Sequence, residues 1–394
     1  MSTLTEPVAI PAGGMSPPPP ARVKERLLSL DVFRGMTLVL MTFVNDHGVP
    51  HLGYPPFMHA NWNGWTPTDL VFPFFIFIVG VAIPFAFASR LDRGEGKGKL
   101  YKHIVSRTVI LFALGLFLNC FPRDSGPWFD LSTLRIFGTL QRIALCYLFA
   151  SVIYLNVKSR GQAIITASLL VFYFILMKFV PVPGHGAGIF ARDGNWVQYI
   201  DLHLLQGHMQ SANFESKGLL STLPAIANML IGVLVGQYLR SSRPALEKIA
   251  QFFLIGNVMM FLGLLWSVWF PINQSLWTSS LVVFMCGMAL VIFTCCYYLV
   301  DIKKVTWWTK VFVIFGVNSI TIWMGEWILY SILVGIKLHQ ADGAVVSVWA
   351  LTYSRLFASW AGPLHGSELM AFAYVLLWWA ILAVMYKKRI FIKV

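Results

Sequence analysis

The sequence predicts an all-α polytopic membrane protein with about ten transmembrane helices, and two observations lead to that class. Of the 394 residues, 57% are hydrophobic and only 12% are charged, whereas soluble domains carry about 25% charged residues. The apolar residues also fall into separate runs of roughly 17 to 25, each long enough to cross a hydrocarbon core about 30 Å thick. This composition excludes a soluble globular enzyme.

The predicted spans follow an N-terminal stretch of different composition. Residues 1–25 contain four consecutive prolines and little hydrophobicity, which predicts a disordered lead-in. Residues 26–394 are predicted to form the transmembrane domain. A short apolar stretch at 344–361 is predicted to be re-entrant or to lie in the membrane interface. The ten predicted spans are about 29–45, 69–89, 103–121, 136–155, 162–180, 219–239, 247–269, 276–299, 309–331 and 368–386.

The distribution of cations predicts the orientation of the chain. Of the 30 Lys and Arg residues, 21 lie in or at the edges of the alternate connections that include both ends of the chain, and far fewer lie in the opposite connections. The positive-inside rule therefore predicts that both termini are cytoplasmic. Because the cations are spread in short clusters, the net charge of +13 does not indicate nucleic-acid binding. The five cysteines lie in apolar runs, at spacings that favour neither a disulfide framework nor a zinc site.

Ionisable residues inside predicted spans are costly and are therefore candidates for function. Asp31 and Arg34 are three residues apart at the start of the first span, so they could pair with each other, or Arg34 could face a polar cavity and hold an anion. Arg142 is predicted about two turns inside the fourth span, where it needs a buried acceptor or an anionic ligand, and Glu326 could be that acceptor. Asn318 is a candidate for interhelical hydrogen bonding.

The loop after the first span holds the densest group of polar residues. The run Thr66-Pro67-Thr68-Asp69 predicts a helix start in which Asp69 is the acidic member of a capping box. His59 and Asp69 could also form an acid–base pair, in which the carboxylate fixes the tautomer of the imidazole. The histidines of this loop match no metal-ligand spacing, so no metal is expected. The 181–218 loop is long enough to be a lid or a substrate platform, without a specific motif.

Several of these residues belong to motifs of a known family. The motifs are Ser29-Leu-Asp-Val-Phe-Arg-Gly35, Phe43-Val-Asn45, His59-Ala-Asn-Trp-Asn-Gly64, Asp69-Leu-Val-Phe-Pro73, Leu140-Gln-Arg142 and Gly316-Val-Asn-Ser-Ile320. Over about residues 26–394 the sequence closely resembles the heparan-alpha-glucosaminide N-acetyltransferase family and its bacterial NagX-type relatives. The resemblance implies acetyl transfer from acetyl-CoA to the amino group of glucosamine or of a terminal glucosaminide. It also favours a multi-pass protein of the bacterial inner membrane.

The resemblance makes His59 the essential residue and brings Asn45 and Asp69 near it. His59 would act either as a general base in a ternary complex or as an acyl acceptor in a two-step relay. Asp69 would hold the imidazole tautomer, and Asn45 would donate a hydrogen bond to the oxyanion. Two other readings stay open: an amino-sugar transporter, and an O-acyltransferase that acts on an envelope glycan.

Other polar residues are assigned to binding. The phosphates of CoA are expected at the cytoplasmic mouth, against cations, with the pantetheine arm threaded between helices. A homo-oligomer is expected, with a dimer favoured. The cofactor-binding candidates are Arg34, Arg107, Arg142 and Lys102, and the substrate-binding candidates are Asn63, Asn318 and Glu326.

Overall fold

The structure is a computed structural model that describes residues 27–121, 127–340 and 343–392. The predicted lead-in at 1–25 lies outside the described residues. Helices dominate the described part, with one short antiparallel pair of strands. The elements are α1 Leu28–Asn45, α2 Val71–Leu91, α3 Lys97–Asn119, α4 Thr139–Asn156, α5 Ser159–Phe179, α6 Trp196–Leu205, α7 Thr222–Leu239, α8 Ala245–Trp266, α9 Ser279–Cys296, α10 Thr309–Val317, α11 Ser319–Gly335, β1 Lys337–His339, β2 Val345–Ser347, α12 Val348–Thr352, α13 Ser359–Ala361 and α14 Pro363–Lys387.

The predicted class of an all-α polytopic membrane protein is confirmed. Nine helices of the described residues are long and apolar enough to cross a membrane, and a tenth span results if the bent pair α10 and α11 is taken as one. Two spans are longer than their α-helical part: a short 3₁₀ turn at Pro67–Leu70 precedes α2, and a π-helical turn at Tyr297–Ile302 continues α9. Each of the ten predicted spans corresponds to one of these segments.

The predicted span at 309–331 is not a single straight helix. It bends by 78° between α10 and α11, because the backbone of Asn318 leaves the helical conformation with φ −117° and ψ 41°. Two side chains form hydrogen bonds at the bend. The Ser319 hydroxyl donates to the carbonyl oxygen of Gly316, and Asn318 Oδ1 accepts from the backbone N–H of Ile392. Asparagine and serine favour such breaks because their side chains compete for backbone hydrogen bonds.

Two regions between the spans contain elements that the sequence did not predict. The 181–218 loop holds α6, and the side chain of Asn195 caps that helix by accepting from the N–H of Gln198. The stretch 344–361, predicted to be re-entrant or interfacial, contains strand β2 near its start, which pairs with β1. It then continues through α12, a π-helical turn at Tyr353–Ala358 and α13.

Glycines allow the closest helix contacts. A Cβ added at Gly35 of α1 would overlap the carbonyl oxygen of Phe312 in α10, and one at Gly316 would overlap the carbonyl oxygen of Asp31. The pair α2 and α7 is equally tight, since a Cβ at Gly80 would overlap the carbonyl oxygen of Met229. Small residues at such crossings let backbones approach closely, as is common between membrane helices. These contacts fix α1 and α2 against the rest of the bundle.

Candidate active site

Two cavities open near opposite ends of α2. The first, which we call the histidine pocket, has a volume of about 420 Å³ and includes His59 and Asp69, next to the start of the helix. The second, which we call the arginine cavity, has a volume of about 440 Å³, includes Arg34 and Arg107, and reaches Ala86 near the other end of the helix. At a rise of 1.5 Å per residue, Asp69 and Ala86 are about 25 Å apart along the axis of this helix.

The predicted capping box at Thr66 and Asp69 is confirmed. The Thr66 side chain accepts from the backbone N–H of Asp69, and Asp69 Oδ2 accepts from the backbone N–H of Thr66 at 3.0 Å. Oδ2 accepts further hydrogen bonds from the Thr66 hydroxyl at 3.2 Å and from the N–H of Ala60 at 3.1 Å. The Asp69 side chain is only 2% exposed. These donors take the place of water and hold the buried carboxylate in position.

The second oxygen of the same carboxylate faces the imidazole. His59 Nδ1 lies 2.6 Å from Asp69 Oδ1, and the imidazole side chain is 58% exposed. A carboxylate only accepts hydrogen bonds, so His59 Nδ1 carries the proton and Nε2 of the neutral ring keeps its lone pair. The geometry is that of a base and the group that orients it.

Three separate loops form the histidine pocket. The loop between α1 and α2 supplies the histidine, the 181–218 loop supplies Arg192 and Lys217, and the segment before α9 supplies Gln274 and Trp277. The loops are tied together by hydrogen bonds, among them one from Trp62 Nε1 to the carbonyl oxygen of Phe190 at 2.7 Å. The 181–218 loop is therefore part of the pocket wall. Across residues 27–121, 127–340 and 343–392, no group of three or more His, Cys, Asp or Glu side chains is arranged to hold a metal.

Lys217 gives the histidine pocket an adjustable charge. Burial and the neighbouring Arg135 lower the pKa of Lys217 to about 7, against the smaller opposing effect of Glu215. Its backbone is fixed because its N–H donates to Glu215, whose carboxylate is fully buried and paired with Arg135. Near neutral pH this lysine is thus poised between the charged and the neutral form.

The arginine cavity combines a cationic end with apolar walls. The guanidinium of Arg34 lies 3.5 Å from both Asp31 and the carbonyl oxygen of Gly316, so the predicted pair with Asp31 forms and Arg34 also lines a cavity. Arg107 lies over the ring of Tyr147, 4.7 Å from its centroid. Along α2 the wall runs from Ala86 to Phe75, which is about 16 Å of helix. The cavity therefore extends well into the bundle.

Arg142 lies closer to a helix end than predicted. Helix α4 begins at Thr139, so Arg142 is in the first turn rather than two turns inside. It is nevertheless fully buried, because the end of the 181–218 loop folds over it. Its Nη2 donates to the carbonyl oxygen of Gly218 at 3.3 Å and to the Ser221 hydroxyl, and its guanidinium lies 5.2 Å from the ring centroid of Trp277.

Glu326 and Asn45 lie together, away from the two cavity linings. Glu326 accepts from the Thr42 hydroxyl at 2.9 Å and from the Asn45 side chain at 3.3 Å. The hypothesis that Glu326 pairs with Arg142 is therefore wrong, because the structure gives these residues different partners. Asn45, expected beside His59 as an oxyanion donor, is not among the residues that line the histidine pocket.

Three other candidates occupy positions at the edges of the site. Asn63 lies within the motif that begins at His59, and its Oδ1 accepts from Asn273 Nδ2 at 3.1 Å, which ties two loops of the pocket together. Asn318 is buried at the bend between α10 and α11, next to residues that line the arginine cavity. Lys102 is exposed on α3 and is not part of either lining.

Sequence reasoning missed Lys217, Arg192 and Trp277 as pocket residues. The two cations were counted only for topology, although both fall in a long connection that is otherwise poor in Lys and Arg. Trp277 lies within an apolar run and carries no signal by itself. These residues reach His59 only through the folding of distant loops, which spacing along the chain does not reveal.

Comparison with known proteins identifies the family. Residues 26–269 match the family described as heparan-alpha-glucosaminide N-acetyltransferase, catalytic. Among curated proteins, the chain is 29% identical to heparan-alpha-glucosaminide N-acetyltransferase of Mus musculus over 357 residues, covering 77% of this chain and 54% of the relative.

The corresponding Homo sapiens protein is 30% identical over 354 residues, which cover 76% of this chain and 52% of that protein. The chain thus spans about half the length of the curated relatives it matches. Because the family match covers well over half of the 394 residues, the chain belongs to the heparan-alpha-glucosaminide N-acetyltransferase family.

Proposed function

We propose that the protein is a membrane acetyltransferase that moves the acetyl group of acetyl-CoA to the amino group of glucosamine or of a terminal glucosaminide. One observation carries the proposal. The hydrogen-bonded pair of His59 and Asp69 lines a polar pocket at one end of α2, while a cavity with two arginines and apolar walls opens near the other end. The matched relatives are named for this acetyl transfer.

The arginine cavity suits the donor. Arg34 and Arg107 offer cations to the phosphates of CoA, since guanidinium groups bind phosphate oxygens in bidentate fashion. The apolar side chains of α2 between Phe75 and Ala86 suit the pantetheine arm, which can extend along them. Lys102, which lies outside the lining, has no place in this assignment.

The histidine pocket suits the acceptor and the proton transfer. Amino groups are protonated near neutral pH, and only the free amine attacks the carbonyl carbon of the thioester. His59 Nε2 takes the proton, and Asp69 stabilises the resulting imidazolium from the opposite side of the ring. The amine then forms the amide bond, the C–S bond breaks, and the thiolate of CoA receives a proton. An acetyl group held on His59 would give the same products in two steps.

The proposal is tested by acetyl transfer in proteoliposomes with labelled acetyl-CoA and glucosamine. Replacement of His59 by Ala should remove nearly all transfer while CoA binding remains, because an exposed imidazole contributes little to packing. His203→Ala is the matched control: this histidine is also exposed, lies on α6 and bonds the carbonyl oxygen of Tyr199. Sugar accumulation without acetyl-CoA, or full turnover by the His59 variant, would contradict the proposal.

The donor assignment has its own test. Arg107→Ala should raise KM for acetyl-CoA with little change in kcat, as expected when binding of substrate and transition state is lost equally. Lys102→Ala removes the same charge from the same helix outside the cavity and should leave KM unchanged. Equal effects of the two substitutions would show that only the general charge of this face matters.

A further inference from the structure

Three buried N–H groups next to the histidine pocket have no acceptor. They are Nε and Nη1 of Arg142 and Nε1 of Trp277, each without a hydrogen-bond partner among the described residues. Arg142 is fully buried and Trp277 is 1% exposed. A buried donor that lacks a partner is costly, and a charged donor more so, so such groups next to a pocket are candidates for binding a ligand.

The two side chains lie beside residues that line the two cavities. Trp277 lines the histidine pocket, and its ring contacts Phe72, which also lines it, at 4.9 Å between centroids. Phe75, one helical turn further along α2, lines the arginine cavity. Arg142 lies over Trp277, and its neighbours in α4, Leu140 and Ile143, line the arginine cavity as well.

The backbone of Trp277 is strained. Its φ of +53° is in the left-handed region, which is unfavourable for a residue with a Cβ. The surrounding segment enforces this conformation: Asn273 Oδ1 accepts from the N–H of Leu276 at 2.9 Å, and the buried Tyr173 hydroxyl donates to the carbonyl oxygen of Leu276 at 2.6 Å. Strain that is held in place by its surroundings commonly marks a functional position.

The free donors can bind one oxygen atom. Nη2 of Arg142 is already held by Gly218 and Ser221, which fixes the guanidinium plane and leaves Nε and Nη1 for a ligand. The guanidinium carbon lies 5.2 Å from the centre of the Trp277 ring. The unpartnered donors of both side chains therefore belong to two groups in direct contact, so a ligand atom that reaches one side chain lies close to the other.

We infer that Arg142 and Trp277 bind the carbonyl oxygen of the acetyl thioester and stabilise it as it becomes an oxyanion. This inference rests on the proposed function and replaces Asn45 in that role. As the amine nitrogen bonds to the carbonyl carbon, the electron pair of the C=O bond moves to the oxygen that these N–H groups face. When the C–S bond breaks, the pair returns and re-forms the carbonyl group of the amide. Donors that strengthen their bonds to the oxyanion accelerate this step.

The test is Trp277→Phe, which keeps the ring against Arg142 and removes only the N–H. We expect kcat to fall at least roughly tenfold with KM for acetyl-CoA nearly unchanged, since loss of one oxyanion donor typically costs about 10²–10³. Arg142→Lys should lower kcat further, because lysine keeps the charge but not the fixed fork of donors. Retained binding of CoA to each purified variant establishes that it is folded.

Trp378→Phe is the matched control. Trp378 is a buried tryptophan of α14 whose Nε1 also has no partner among the described residues, and it lines neither cavity. Its substitution should leave kcat unchanged. Unchanged kcat in Trp277→Phe, or a rise in KM alone, would overturn the inference while wild-type transfer still supports the proposed function. Absence of transfer in the wild-type protein would instead overturn the proposed function.

Discussion

The two oxygens of Asp69 have separate tasks. Oδ2 accepts three hydrogen bonds, from the backbone of Ala60 and from the backbone and hydroxyl of Thr66. Oδ1 is left for His59. A helix start therefore serves as the rigid support of the imidazole, and the orientation of the proposed base follows from the same contacts that begin α2.

The divided role of Asp69 predicts how its substitution acts. Asp69→Asn keeps the size of the side chain and much of its capping capacity, but removes the charge that stabilises imidazolium. We expect kcat for glucosamine acetylation to fall at least roughly tenfold, within the usual general-base contribution of about 10²–10⁴. Thr66→Ala is the comparison, since loss of this cap should cost about 1 kcal/mol of stability with a smaller loss of kcat. If Asp69→Asn keeps its kcat and only lowers Tm, Asp69 acts as a helix cap and has no part in the reaction.

Asp201 predicts a pH dependence of stability. Its carboxylate is buried, Oδ1 accepts from the N–H of Leu219 at 3.0 Å, and burial raises its pKa to about 7. Because this pKa is above that of the unfolded chain, the folded protein binds the extra proton and gains stability at low pH, which is lost as the pH rises through about 7. The loss begins where the unfolded carboxyl ionises, near its usual pKa of 3.8, and is complete above about 7. Asp201→Asn imitates the protonated form, so its Tm should exceed that of the wild type by clearly more at pH 8 than at pH 5.

The control for this pH effect lies in the same loop. Asp193 is exposed and accepts from the side chain of Gln198 at 2.8 Å. Asp193→Asn makes the same chemical change outside the buried environment and should show no gap in Tm that opens between pH 5 and pH 8. A gap of equal size in both variants would show that the net charge of the loop, not burial of Asp201, causes the effect.

At the scale of single residues, the sequence predicts contacts between residues that are close along the chain and misses contacts between residues that are far apart along it. His59 and Asp69 are ten residues apart in one loop, and the Thr-Pro-Thr-Asp run already fixes one of them at a helix start, so their contact follows from short-range rules. Arg142 and Trp277 meet only because α4 and the segment before α9 pack together. No pattern in a single sequence predicts the contact between Arg142 and Trp277.

The positions of individual helices depend on glycines at their crossings. Helix α1 carries Arg34 into the arginine cavity, and the next residue, Gly35, is the point where α1 touches the backbone of α10. The contact continues one turn away, where Gly316 faces the carbonyl oxygen of Asp31. The location of the arginine thus follows from a backbone contact that only glycine permits.

Gly35→Ala should therefore destabilise the bundle and displace Arg34. The added methyl group would overlap the carbonyl oxygen of Phe312, and overpacking of this kind typically costs about 1–3 kcal/mol. We expect a lower Tm and a higher KM for acetyl-CoA. Gly98→Ala is the control, because a Cβ at this position in the first turn of α3 meets open space. Its Tm should stay unchanged or rise slightly, as alanine favours helix over glycine.

Helices predicted from long apolar runs agree with the structure to within about six residues at each end. Short elements were not predicted. Length and hydropathy suffice for the spans because the hydrocarbon core demands an uninterrupted helix. The bend at Asn318 depends on local side-chain hydrogen bonds, one of them from the distant Ile392. The strands β1 and β2 are three residues each, too short for a periodic pattern.

At the scale of the whole molecule, the two cavities suit the proposed reaction because each could hold one of its two substrates. The arginine cavity reaches towards the start of α2 at Phe75, and the histidine pocket begins at the same end of that helix with Phe72. Arg142 and Trp277 connect the two linings, because Trp277 packs on Phe72 and Arg142 is followed in α4 by Ile143, which lines the arginine cavity. Under the proposed function, acetyl-CoA would enter from one side and the sugar from the other, and neither molecule would need to cross the membrane.

This arrangement requires that the loops at the two ends of α2 face opposite aqueous phases, as the distribution of cations predicts. Single cysteines introduced into a protein without its five native cysteines can report the side of each loop. A cysteine at position 60, beside His59, should react with an impermeant thiol reagent only from outside intact spheroplasts. Cysteines at positions 96 and 242, which follow α2 and α7, should react only after the membrane is permeabilised. Labelling of all three from the same side would contradict a transfer across the membrane, because donor and acceptor would then share one aqueous phase.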